Sequence, residues 1–181
     1  VLNMTDKEIY KWAGIFREAI IAARDENLFR KDISFDRFPR GCCGDTCYLL
    51  ATFLRTKGVK TLYVWGDYHG QSHAWLVVND DRVKEPTPRF YETPIAIREA
   101  LKLYGNAMPE GPVEITCYEE GDVADGLIID ITADQFGKSP VYVGYSDDFY
   151  KSFAFESAHE CDELGSSRLH ELYQIVACFL S

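Results

Sequence analysis

Three short stretches of this 181-residue chain carry side chains suited to attack on a carbonyl carbon. The first, Phe38-Pro39-Arg40-Gly41-Cys42-Cys43-Gly44-Asp45-Thr46, delivers a thiol to what reads as the start of a buried helix. The second, Ser72-His73-Ala74-Trp75-Leu76-Val77-Val78, sets an imidazole at the head of a strand-like run. The third, Gly126-Leu127-Ile128-Ile129-Asp130-Ile131-Thr132, ends an apolar strand pattern in a carboxylate. A cysteine at a helix start meets unsatisfied N–H groups and the positive end of the macrodipole. Both favour thiolate over thiol, and thiolate is the nucleophile. Thiolate, imidazole and carboxylate are the nucleophile, the base and the group that orients the base in acyl transfer.

Each position has a rival. A buried cysteine is more often a small inert hydrophobe than a nucleophile, so Cys43 is singled out by its company. Cys42 lies one residue earlier, still in the loop, and Cys47 one helical turn later points to the core. His69 sits in a Gly-flanked turn, whereas His73 is followed by Ala74-Trp75-Leu76, which fixes it on a packed strand. Asp134 competes with Asp130, but a carboxylate ending an apolar strand must have a partner. The other reading of Asp130 is a cap on the next turn through Thr132. The backbone N–H of Cys43 is a natural oxyanion donor, and Gln135 is a second candidate on proximity in sequence. Arg37 and Arg40 either attract an acidic substrate group or stand solvated on the loop.

The order and local motifs resemble the transglutaminase-like branch of the papain-like cysteine enzymes. That branch carries Gly-x-Cys opening a helix, His-x-Trp on a strand and Asp-x-Thr on the next strand. Gly41 and Cys43, His73 and Trp75, Asp130 and Thr132 match them here, spanning roughly residues 38–136. The resemblance implies an α+β fold with a papain-like/transglutaminase-like core. N-terminal helices there present the nucleophile at a helix start, packed on an antiparallel sheet. It implies a Cys43-His73-Asp130 triad supported by Trp75 and Gln135, a protein or peptide substrate, and no cofactor or metal. The activity implied is that of a thiol hydrolase, a cysteine peptidase or glutamine deamidase, working through a thioester. Transglutaminase-type amine transfer, a non-catalytic protein-binding module and a bacterial toxin or effector domain are the alternatives. Residues 80–125 exceed the short hairpin usual between the histidine and aspartate and read as an insertion in a single domain over 1–181.

Composition narrows the partners. Hydrophobic residues at 46% and charged residues at 27% suit a globular chain and argue against disorder. A net charge of −10 disfavours nucleic acid and anionic membranes. No apolar run is long enough to span a bilayer, and the N-terminus is acidic where a signal peptide is not. A start at Val1 suggests an excised domain or processed chain. Three of six cysteines crowd into positions 42–47, which is no disulfide framework. A reduced, cytoplasmic setting fits, with secretion as an effector the alternative. Zinc has Cys43 and Cys47 at helical spacing but lacks a second ligand pair.

The elements that must position these groups follow from periodicity. Thr5 and Glu8 form a capping box, and Ile9, Trp12, Phe16, Ala19, Ile20 and Ala23 continue a helix to near Asn27. Asp45 or Thr46 should cap the thiol helix and Gly58 should stop it. Residues 59–65 and 72–78 read as a hairpin around a turn at 66–71. Residues 84–94 are proline-rich and irregular, 95–103 helical, 108–112 a loop, 113–118 a strand and 119–122 an acidic turn. Strands at 127–131 and 141–145, an aromatic loop or short helix over 146–155, and a helix at 169–180 complete the reading. His159 and His170 have no motif around them and are expected at the surface.

Overall fold

In the computed structural model, which describes residues 4–91, 113–161 and 163–180, the first helix opens as its capping pair requires. The Glu8 N–H donates to Thr5 Oγ1 at 3.3 Å, and the Thr5 N–H donates to the Glu8 carboxylate at 2.8 Å. Helix α1 (Asp6–Asp25) buries Ile9, Phe16, Ala19, Ile20 and Ala23 of the expected stripe, with Ala13 buried beside them and Trp12 only half-buried. It stops two residues early, where Asn27 turns into the left-handed region at φ 58°. A short helix, α2 (Ile33–Asp36), is capped by Asp32 and leads into the thiol helix, α3 (Cys43–Thr56). Gly58 ends α3 with φ 83°, a conformation that strains any other residue.

Strands β1 (Thr61–Tyr68) and β2 (Gln71–Val78) form an antiparallel hairpin from Thr61↔Val78 to Tyr68↔Gln71. The turn is only His69-Gly70, shorter than expected. Both residues have positive φ, 52° and 82°, as a two-residue primed turn demands, and Asp67 Oδ1 accepts the Gly70 N–H at 2.8 Å. Strand β3 (Thr87–Tyr91) pairs with β4 (Val113–Cys117) in a separate two-stranded sheet. The proline-rich stretch expected to be irregular therefore holds a strand, because its partner lies far along the chain. The expected helix at 95–103 and loop at 108–112 fall outside the described residues. The acidic turn is a short helix, α4 (Glu120–Val123), with Glu119 and Asp122 capping each other.

Strands β5 (Ile128–Asp130) and β6 (Tyr142–Gly144) precede a short helix, α5 (Asp148–Lys151), capped by Asp147. Strand β7 (Ala154–Glu160) lies where no strand was expected, and α6 (Ser167–Ala177) follows. The main sheet runs β6-β5-β2-β1-β7, antiparallel throughout. The fold class is thus α+β. Helices α1, α3 and α6 cover one face, with Ala74, Leu76 and Val78 of β2 facing them. On the other face Trp75 and Val77 join an aromatic cluster that includes Tyr118, Tyr150 and Phe153. This double covering buries every residue from His73 to Val78.

Gly66 lets β7 approach. A Cβ there would lie 2.7 Å from the Ala154 carbonyl oxygen and 2.9 Å from Phe153 Cβ, at the point where the β1–β7 register shifts. Gly66→Ala is therefore expected to destabilise the fold by about 1–3 kcal/mol in thermal or denaturant unfolding. Gly14→Ala, in α1 with open space at its Cβ position, should instead stabilise by about 0.5–1 kcal/mol.

Candidate active site

The two halves of the sheet part where the three candidate groups meet. Strands β2 and β5 pair at Val77↔Ile128 and Leu76↔Ile129 and no further. Alternation along β5 sends Ile129 and Ile131 to the helices and leaves Asp130 on the aromatic face with His73. There His73 Nε2 lies 2.6 Å from Asp130 Oδ2, with both side chains sealed from solvent. The remaining ring nitrogen, Nδ1, is buried and meets no group in formal hydrogen-bond geometry. The Cys43 thiol is nonetheless close enough to this ring for each group to shift the titration of the other.

Cys43 reaches this place because it is the first residue of α3, which packs on β2. The Val78 N–H donates across to Leu127 at 2.9 Å, so the N–H groups of Leu76 and Ala74 point the same way. Beyond the last β2–β5 pair, the Ala74 N–H faces the Cys43 sulfur in place of a strand. Burial alone would push this thiol up. The hydrogen bond and charge of His73 and the N–H groups of Ala74 and Gly44 outweigh it and bring the thiol below its ordinary pKa of 9.0. For His73, burial opposes the charged form, but Asp130 and Cys43 raise its pKa to about 9. Both shifts favour the thiolate–imidazolium form of the pair, whose two groups titrate as one unit.

The neighbouring thiols are of another kind. Cys42, buried, is pushed up to about 12 by desolvation, and Thr46 donates to its sulfur at 3.6 Å. Cys47 is buried, and desolvation raises its thiol well above its ordinary value. Iodoacetamide at mildly acidic pH is expected to label Cys43 well ahead of the exposed Cys178. Peptide mapping that found equal, slow labelling of both would remove Cys43 as a thiolate.

The rivals are accounted for by position. His69 is exposed at the hairpin tip, packed edge-on against Tyr68. Asp134 is held by Arg17, whose Nη2 lies 2.6 Å from Oδ2; the same guanidinium donates to the Ile131 carbonyl and stacks on Phe38. A single side chain of α1 thus ties the loop after Asp130 to the loop before Cys43. Gln135 does not join the thiol: its amide donates to the Thr132 carbonyl at 3.1 Å and closes the turn. Trp75 forms part of the wall, its ring centroid 5.8 Å from that of His73, with Phe136, Phe149 and Phe153 completing it. Arg37 and Arg40 are exposed.

Other expectations need correction. Neither Asp45 nor Thr46 caps α3. Cys42 occupies that position, and its side chain accepts no N–H of the first turn, while Asp45 pairs with Arg168 at 2.7 Å. His159 is not a surface residue: as part of β7 its ring stacks on Tyr63 and its Nε2 lies 3.0 Å from the Tyr48 hydroxyl. His170 is exposed. Tyr150 was missed altogether; its hydroxyl donates to Asp130 Oδ2 at 3.1 Å. The only signal for it is the aromatic crowding of residues 149–155, which says nothing about direction.

Among the described residues no group of three or more His, Cys, Asp or Glu side chains is placed to hold a metal. No helix among them is long and apolar enough to cross a membrane. Cavities of about 570 and 580 Å³ lie away from the three groups, at Met4–Ile9 with Asn79–Arg82 and beside Leu164–His170. One of about 350 Å³ shares Trp75, Tyr150 and Phe153 with the wall around His73. Comparison of the chain with family models, with curated proteins and with solved structures yielded no match.

Proposed function

We propose that this protein is a cysteine-dependent acyl-transfer enzyme, a thiol hydrolase acting on an amide of a protein or peptide. What supports the reading is one observation: Cys43, His73 and Asp130 converge from three elements, with the carboxylate 2.6 Å from the imidazole and the thiol pKa lowered beside it. The fold class and the three motifs agree with a transglutaminase-like core.

The chemistry follows from the groups present. The Cys43 thiolate adds to the amide carbonyl and forms a C–S bond, and the carbonyl electron pair moves to oxygen. The backbone N–H of Cys43 at the helix start is the donor placed for that oxyanion. His73, as imidazolium, gives its Nδ1 proton to the departing amine as the C–N bond breaks, leaving a thioester. Water then adds to the thioester, giving up a proton to His73, and the C–S bond breaks to free the acid and the thiolate. Asp130 keeps the Nε2 proton in place and stabilises the charged ring throughout.

An accepting amine in place of water would turn hydrolysis into cross-linking, so the acceptor distinguishes the activities. The test is incubation with a glutamine-bearing protein and a labelled amine, read by mass spectrometry. Backbone fragments identify a peptidase, conversion of glutamine to glutamate a deamidase, and label incorporation a transfer enzyme. A result with none of these, across varied substrates, would leave the fold without this activity.

A further inference from the structure

Asp130 is the most heavily used acceptor of the site, and its two oxygens are treated differently. Oδ1 accepts the Thr132 N–H at 2.8 Å and the Thr132 hydroxyl at 3.0 Å. These two bonds alone fix the rotamer of the carboxylate. Oδ2 is shared: His73 Nε2 lies 2.6 Å away and the Tyr150 hydroxyl 3.1 Å. The Tyr150 side chain is buried and clamped by rings, with Trp75 at 5.3 Å, Tyr142 at 5.0 Å and Phe149 at 4.9 Å between centroids. Its backbone is anchored too, since Asp147 Oδ1 accepts the Tyr150 N–H at 3.3 Å.

We infer that Tyr150 is a positioning residue that tunes the triad: its hydroxyl shares Asp130 Oδ2 with His73 and thereby sets how firmly the carboxylate holds the imidazolium. This rests on the reading of Cys43-His73-Asp130 as a working triad. A carboxylate oxygen with two donors is a weaker base toward each than an oxygen with one. Burial, and then the charge of Asp130, hold the phenol well above the ordinary tyrosine range, so it stays a neutral donor at working pH. The titratable groups around this centre are Cys43 and Cys47 from α3, His73 from β2, Tyr142 from β6 and Asp147 at the cap of α5. Only Tyr150 and His73 are bonded to Oδ2 among the described residues.

The decisive variant is Tyr150→Phe, which keeps the ring and removes the donor. With one donor gone, Asp130 Oδ2 accepts the imidazolium proton more tightly. The ring ¹⁵N signals of His73 are expected to titrate about one pH unit higher than in the wild type. The pH profile of Cys43 alkylation should move as well, because the thiol is coupled to the same ring. A role in packing alone would lower the melting temperature and leave both titrations in place. Superimposable titrations, or a downward move of His73, would overturn the inference. If wild-type Cys43 shows no acid-pH reactivity, the thioester reading fails, while the His73 titration still judges Tyr150.

Discussion

Cys43→Ser is expected to reduce amide turnover by about 10⁴-fold or more, with the fold intact. Serine keeps the size and position, but its hydroxyl does not ionise beside His73, so the ground-state nucleophile disappears. The effect should fall on kcat rather than on substrate binding, because the Cys43 sulfur is the attacking atom of the proposed reaction. Cys42→Ser makes the comparison. Its sulfur is buried, raised to about 12 and bonded to Thr46, so its loss should leave turnover within a few-fold. Steady-state kinetics on both variants, with circular dichroism as the folding check, decides the matter. Full activity in Cys43→Ser, or its loss only in Cys42→Ser, would move the nucleophile.

Asp130→Ala should damage both stability and activity. The carboxylate accepts from Thr132 twice, from His73 and from Tyr150, at 2.6–3.1 Å and out of reach of water. Alanine leaves those donors buried without an acceptor and strands the imidazolium, a loss of about 3–5 kcal/mol in denaturant unfolding. Asp130→Asn keeps the shape and isolates the charge, and about 10⁴-fold in kcat should go with it, because the imidazole loses the group that orients it.

The pH dependence carries a definite sign. The folded pKa of His73 is raised from the ordinary 6.5 to about 9. The folded state then holds a proton that the unfolded state has released between those values. Its contribution to stability is whole below the unfolded value and is lost as pH climbs through the folded one. Unfolding midpoints between about pH 6 and about pH 10 should therefore fall more steeply in the wild type than in Asp130→Asn. Equal slopes would show that Asp130 does not hold the ring proton.

Arg17 illustrates why local reading stops short. It lies on the buried stripe side of α1, where periodicity asks for an apolar residue, and its charge looks like an error until Asp134 and the Ile131 carbonyl are seen across the fold. That pairing also takes Asp134 out of contention as the partner of His73. Neither fact has a signature within a dozen residues of either side chain.

Features that depend on neighbours along the chain were legible in the residues alone. The Thr5–Glu8 cap, the stripe of α1, the Gly58 stop, the β1–β2 hairpin and the short list containing Cys43, His73 and Asp130 all follow from spacing and residue type. Tertiary structure alone decided the rest. Strands β3 and β7 exist because distant partners complete their hydrogen bonds, as Gly66 opposite Phe155 shows. Asp130 rather than Asp134 meets the imidazole, and Tyr150 arrives on the same oxygen, because β5 ends on the aromatic face. Periodicity reports which face a residue takes; only the packed chain reports what waits on that face.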